Sequence, residues 1–135
     1  HTPEIEECLS NITKQSVKIS FTPILAPMPR GILATVTSKL IGQANIEDIR
    51  ANFEKFYENS KFVKLLPDGS MPMTSSVFGS NSAHIQIAVD SHTNRLIVSC
   101  AIDNLGKGAA GQAIQNANII CDLPDDLGLD QIGIR

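Results

Sequence analysis

The chain has 135 residues, of which 42% are hydrophobic and 19% charged, the balance of an ordinary globule that buries one core without disulfides or a structural metal. A formal net charge of -3 with no densely basic stretch excludes nucleic acid as the expected partner. No apolar run approaches the roughly 18 residues of a membrane-spanning helix, and neither an initiator Met nor a signal-type segment opens the chain at His1, so the expectation is a cytoplasmic fragment with no membrane partner.

Thr2-Pro3-Glu4 offers a hydroxyl at a helix cap, proline at the first helical position and acid in the first turn, which predicts a short helix to about Leu9. Val17, Ile19 and Phe21 alternate with Lys18 and Ser20, the period of a strand with one buried face. Pro23 to Pro29 contains three prolines and is expected to be irregular or an edge. A second strand follows from Ile32 to about Lys39. Asn45 caps a helix whose Ile46, Ile49, Phe53, Phe56 and Tyr57 recur at helical spacing, with Asp48 three residues after the cap.

Phe62 to Leu66 reads as a short strand closed by a Pro67-Asp68-Gly69 turn. Ala83, Ile85, Ile87 and Val89 oppose His84, Gln86 and Ala88; after the polar turn Asp90 to Asn94, Leu96 to Ile102 completes an antiparallel hairpin. From Gly106 the apolar period changes to Ala110, Ala113, Ile114, Ala117 and Cys121. That small-residue stripe predicts a helix to about Asp122, ended by Leu123-Pro124 and able to approach another surface closely. The elements make an α+β domain with a mainly antiparallel sheet. No strand leads into a glycine-rich phosphate loop, so the chain has no dinucleotide fold of its own, and it contains no internal repeat.

Cys8, Cys100 and Cys121 are odd in number and widely spaced, with no C-x-x-C pair; they read as reduced thiols, and no metal is expected. Cys100 within a strand and Cys121 on the helix stripe are expected to be inert core residues. His84, on the strand's polar face, and His92, in the hairpin turn, are expected to be exposed.

Four segments read together in order: His1-Thr2-Pro3-Glu4-Ile5; Phe21-Thr22-Pro23 through Pro27-Met28-Pro29-Arg30-Gly31-Ile32-Leu33-Ala34; Gly79-Ser80-Asn81; and Ala101 through Asn116. They resemble the C-terminal half of the N-acetyl-gamma-glutamyl-phosphate reductase family, NADPH-dependent enzymes of arginine biosynthesis. The resemblance covers nearly the whole chain. It departs at Ile24, where the family usually has histidine, so no role attached to that histidine carries over. The implied fold is similar to the glyceraldehyde-3-phosphate dehydrogenase-like C-terminal domain, so that residues 1–135 form a substrate-binding and dimerisation domain inserted after a Rossmann domain absent from this chain.

In such enzymes a cysteine thiolate attacks an acyl phosphate, phosphate leaves, and hydride from NADPH gives the semialdehyde; the resemblance puts that cysteine outside this chain. It implies that His1 is the imidazole partner of the thiolate, a role suited to proton transfer, against the plain reading of a terminal histidine. Arg30 after its prolines suits bidentate binding of a substrate carboxylate or phosphate, against a surface arginine beside a turn. Asn104 is implied to face the nicotinamide, against a plain helix cap. Gly79-Ser80-Asn81 is read as a turn, and Gly108 to Gly111 as a close interface with the partner domain. The expected partners are a small-molecule acyl phosphate and further copies of the chain. Without the other half the chain is expected to bind no NADPH and to be inactive. Two alternatives stay open: a non-catalytic α+β assembly module, and a domain of another acyl-phosphate reductase such as aspartate-semialdehyde dehydrogenase.

Overall fold

The computed structural model describes residues 1–130. Four strands form one sheet in the order β1-β4-β3-β2, with β1 at Ile32–Lys39, β2 at Val63–Leu65, β3 at Ala83–Asp90 and β4 at Arg95–Ile102. The hairpin forms as the alternation predicts: Ala83 pairs with Ile102 and Asp90 with Arg95, and Asp90 Oδ1 accepts from the backbone of His92 and Thr93 in the turn. β1 adds antiparallel to β4, Ile32 opposite Ile102. β2 is parallel to β3, with Val63 opposite Ala83. The sheet is therefore mixed but mainly antiparallel, as expected.

The parallel pairing changes what the Pro67-Asp68-Gly69 turn does. It forms, with Ser70 N–H donating to the Pro67 carbonyl at 3.1 Å, and it opens a crossover that returns to the parallel neighbour β3. The crossover carries a short helix, α3 (Thr74–Val77), that the sequence reading did not assign. Arg50 fixes the turn by donating to Asp68, Gln86 and the Leu66 carbonyl, and Gln86 Nε2 donates to the carbonyls of Pro67 and Ser70. Gln86 is thus buried with its hydrogen bonds satisfied, on the face the alternation marks as polar.

Arg50 comes from α2 (Ile46–Tyr57), which packs against β2 and β3. Its cap is Asn45, whose side chain accepts from Glu47 N–H, one residue earlier than the spacing to Asp48 suggested. The core gathers around Val77, Ala83, Ile85, Ile87 and Ala101. On the far side of the sheet the strands are less covered: every residue of β1 is exposed, including Ile32, Leu33 and Val36.

Two expectations near the N-terminus are corrected. The first helix, α1, spans Thr2–Thr13 rather than ending near Leu9, and His1 rather than Thr2 holds the cap position, because Ile5 N–H already donates to the His1 carbonyl. Val17 to Phe21 forms no strand. Its burial does alternate, but the partner is α1: Val17 N–H donates to Ser10 Oγ at 3.0 Å and Ile19 N–H to Glu6 Oε1 at 3.1 Å. Backbone donors spent on helix side chains leave nothing for a ladder.

After β4 the chain makes a π-helical turn at Gly106–Ala110 that runs into α4 (Gly111–Ile120). Gly111 and Asn118 face inward, and Asn118 Nδ2 donates to the carbonyls of Asp125 and Leu127, tying down the residues that follow. The small-residue stripe faces outward instead. Ala110, Ala113, Ile114, Ala117 and Cys121 are all exposed, so Cys121 is not the core residue expected. No helix among the described residues is long and apolar enough to cross a membrane.

Candidate functional site

Three of the four sequence segments meet at a carboxylate that the sequence reading passed over. Asp103, the first residue after β4, is fully buried. Its Oδ1 accepts from Arg30 Nε at 2.8 Å and from the backbone N–H of Leu105 and Gly106; its Oδ2 accepts from Arg30 Nη2 at 2.7 Å and from Gly79 N–H. Burial alone would push this carboxyl up. The Arg30 guanidinium and the N–H groups of Leu105, Gly79 and Gly106 outweigh burial and hold it well below the ordinary carboxylate range.

Arg30 lies with its guanidinium carbon 4.6 Å from the centre of the Phe78 ring, a cation–π contact that fixes it from a third side. Two of its three nitrogens are committed to Asp103, so the bidentate fork expected for substrate is already occupied by protein. Among the described residues Nη1 makes no hydrogen bond. The Arg30 side chain as a whole is 28% exposed.

Asn104 does not cap the helical turn that follows, whose cap position is Leu105 with no side-chain cap bond; Asp103 closes the turn leading into it by accepting from the N–H groups of Leu105 and Gly106. Asn104 Oδ1 instead accepts from Gly31 N–H at 2.7 Å, which leaves Nδ2 as a pair of donors on a half-buried side chain. Gly31 has φ of 108°, and a Cβ there would stand 2.6 Å from Thr74 Cβ, so backbone conformation and space both demand glycine beside Asn104.

His1 lies apart from this knot. Its side chain is exposed, Nδ1 is 3.3 Å from Glu4 Oε2, and its ring meets Phe21 edge to face at 6.2 Å between centroids. Among the described residues no hydrogen bond joins it to Arg30 or Asn104. Phe21 opens the segment that leads to Arg30, so His1 and the knot share that stretch of chain. Ile24, within it, is exposed.

The small residues after Asp103 divide into two groups. Gly106 and Gly111 pack inside the domain, where an added Cβ would stand 2.3 Å from Ser80 O and 2.3 Å from Asn81 Oδ1 respectively. Gly108, Ala109 and Ala110 face out. Of the histidines and cysteines set aside, His92 is exposed, whereas His84 is half-buried opposite Lys64, and burial together with that cation lowers its pKa. Burial pushes the Cys100 thiol up, away from a nucleophile's range.

Comparison with known proteins identifies the family and the fold. A family model for the semialdehyde dehydrogenase dimerisation domain matches residues 1–104. The N-acetyl-gamma-glutamyl-phosphate reductase of Moorella thermoacetica is 48% identical over 134 residues, 99% of this chain and 39% of the relative. Those of Arthrobacter sp. and Corynebacterium glutamicum are 50% and 45% identical over the same coverage. The chain thus spans about two-fifths of the length of the curated relatives it matches. Among solved structures, aspartate semialdehyde dehydrogenase II from Vibrio cholerae superposes with a TM-score of 0.71 at 18% identity, over 90% of this chain and 36% of that one, so the α+β fold is that of a semialdehyde dehydrogenase domain. This chain belongs to the semialdehyde dehydrogenase dimerisation-domain family.

Proposed function

We propose that this chain is the substrate-binding and dimerisation part of an NADPH-dependent N-acetyl-gamma-glutamyl-phosphate reductase, which converts the acyl phosphate to N-acetylglutamate 5-semialdehyde and phosphate in the cytoplasm. The observation that carries this reading is the near-50% identity to such reductases over 99% of the chain. It extends beyond the family model's last matched residue, through the Gly106 turn and α4.

The cofactor contributes a hydride when bound. The described residues fit one edge of it: the Asn104 Nδ2 donors suit a carboxamide oxygen, while no described strand ends in a phosphate-binding glycine loop. The rest of the cofactor would be held by a nucleotide-binding domain. His1, paired with Glu4 through Nδ1, keeps Nε2 for proton exchange with a thiolate and with the oxygen that becomes the aldehyde. Arg30 offers Nη1 to the substrate's carboxylate or phosphate. The exposed apolar strand β1 and its neighbour β4 form the surface that pairs two copies, which gives Ile32, Leu33 and Val36 a partner.

The test is genetic. The full-length gene, placed in a bacterial host that lacks its own reductase and needs arginine to grow, should restore growth without arginine. Failure to do so when the protein is produced and folded would remove this assignment in favour of a different acyl phosphate.

A further inference from the structure

We propose that Asp103 is a positioning residue for the cofactor contact at Asn104: through Arg30 and Gly31 it fixes the Asn104 amide so that Nδ2, and not the oxygen, faces the ligand. The inference rests on the reductase reading above and names the residue that makes its Asn104 contact work.

Arg30-Gly31 and Asp103-Asn104 are joined by three hydrogen bonds of 2.7 to 2.8 Å, two from the guanidinium to the carboxylate and one from Gly31 N–H to Asn104 Oδ1. A backbone N–H can only donate. The atom facing Gly31 must therefore be the amide oxygen, since a flipped side chain would set donor against donor. This holds only while Gly31 stays in register with Asn104, and the two Arg30 bonds to Asp103 set that register. Asp103 also grips the other side of Asn104, because its Oδ1 accepts from Leu105 and Gly106 and so wraps the turn around the Asn104 peptide. Gly79 N–H on Oδ2 anchors the carboxylate to the loop before β3. The amide then keeps two Nδ2 donors that no described residue takes, and a ligand there must supply an acceptor oxygen, as the nicotinamide carboxamide does.

The experiment uses the full-length reductase and reads NADPH affinity by fluorescence titration without acyl phosphate, so that any contact of Arg30 with substrate does not enter. Asn104→Ala should weaken NADPH by about threefold to tenfold, the value of one neutral hydrogen bond. Asp103→Asn, which places an amide among donors, and Arg30→Lys, which cannot span both carboxylate oxygens, should each weaken it comparably. Each combined with Asn104→Ala should bind NADPH within about twofold of Asn104→Ala alone, because residues acting through one contact are not additive. If Asp103→Asn does not fold, Arg30→Lys keeps a cation at the carboxylate and completes the cycle.

Unchanged affinity in Asp103→Asn or Arg30→Lys, or additive losses in the double variants, overturns the positioning role and leaves the reductase reading intact. Unchanged affinity in Asn104→Ala, in an enzyme that still reduces the acyl phosphate, overturns it by moving the contact elsewhere. A wild-type enzyme that binds no NADPH overturns both.

Discussion

Replacing Gly106 by alanine should destabilise the protein, although the residue starts a helical stretch where alanine is normally preferred. A Cβ at this position would lie 2.3 Å from the Ser80 carbonyl oxygen, where ordinary contact begins near 3.4 Å, so something must move by about 1 Å. Ser80 cannot yield easily. It is buried, its N–H and hydroxyl both donate to the Val77 carbonyl, and its Oγ accepts from Ser82 N–H. Moving Gly106 away instead breaks its donation to Asp103 Oδ1 and the bond that its carbonyl accepts from Gly111. Overpacking against backbone lies toward the upper end of about 1–3 kcal/mol, and the gain in helix propensity returns about 1 kcal/mol. The net loss is then about 2 kcal/mol, which in a domain of this size lowers Tm by roughly 6–10 °C. Gly108→Ala is the control: its Cβ would come within 3.3 Å of Asp103 O, only about 0.1 Å short of ordinary contact, so the same helix-propensity gain of about 1 kcal/mol should offset the small repacking cost and the variant should melt no lower than the parent. Differential scanning calorimetry of both variants decides the matter. A Gly106→Ala protein melting at or above the parent, or a Gly108→Ala protein falling equally far, would refute the close-packing argument.

Val77→Ala should cost about 2 kcal/mol in urea unfolding, since Val77 is fully buried where α3 meets the sheet and the lost methyl groups leave a cavity. Because the folded Asp103 carboxyl titrates below its ordinary value, the unfolded chain binds more protons in acid; its contribution is complete at neutral pH and is lost as pH falls below the ordinary carboxylate value of 3.8. Acid titration of Asp103→Asn should therefore show a flatter stability loss below about pH 4 than the parent. Replacing Val36 on the exposed strand β1 by lysine should shift the full-length enzyme toward monomer in sedimentation, and an unchanged assembly state would move the interface off this face. The 135-residue chain alone should show no NADPH oxidation with N-acetylglutamyl phosphate.

Where one physical signal acted alone, the sequence was read correctly. The hairpin from β3 to β4 and the Asn45-capped α2 follow from strict period-two and period-three-to-four patterns that tertiary contacts reinforce. Where two elements compete for the same pattern, it was not. Val17 to Ile19 alternates as a strand would, but Glu6 and Ser10 of α1 take its N–H groups, and periodicity does not reveal the partner. The parallel pairing of β2 was hidden because a three-residue strand carries no mark of direction. At the site, Arg30 and Asn104 were visible because they stand in recognisable segments. Asp103 was not, although it touches more of the knot than either, because its weight comes from residues 24 and 73 positions away that only the fold assembles.

The account's central claim is tested most directly by steady-state NADPH oxidation by the purified full-length enzyme, run in parallel with N-acetylglutamyl phosphate and aspartyl phosphate. The expected result is phosphate-releasing turnover with kcat/KM for N-acetylglutamyl phosphate at least about a hundredfold above that for aspartyl phosphate, the discrimination a site built around specific polar contacts provides. Equal or greater turnover of aspartyl phosphate, or no oxidation with either, would contradict it.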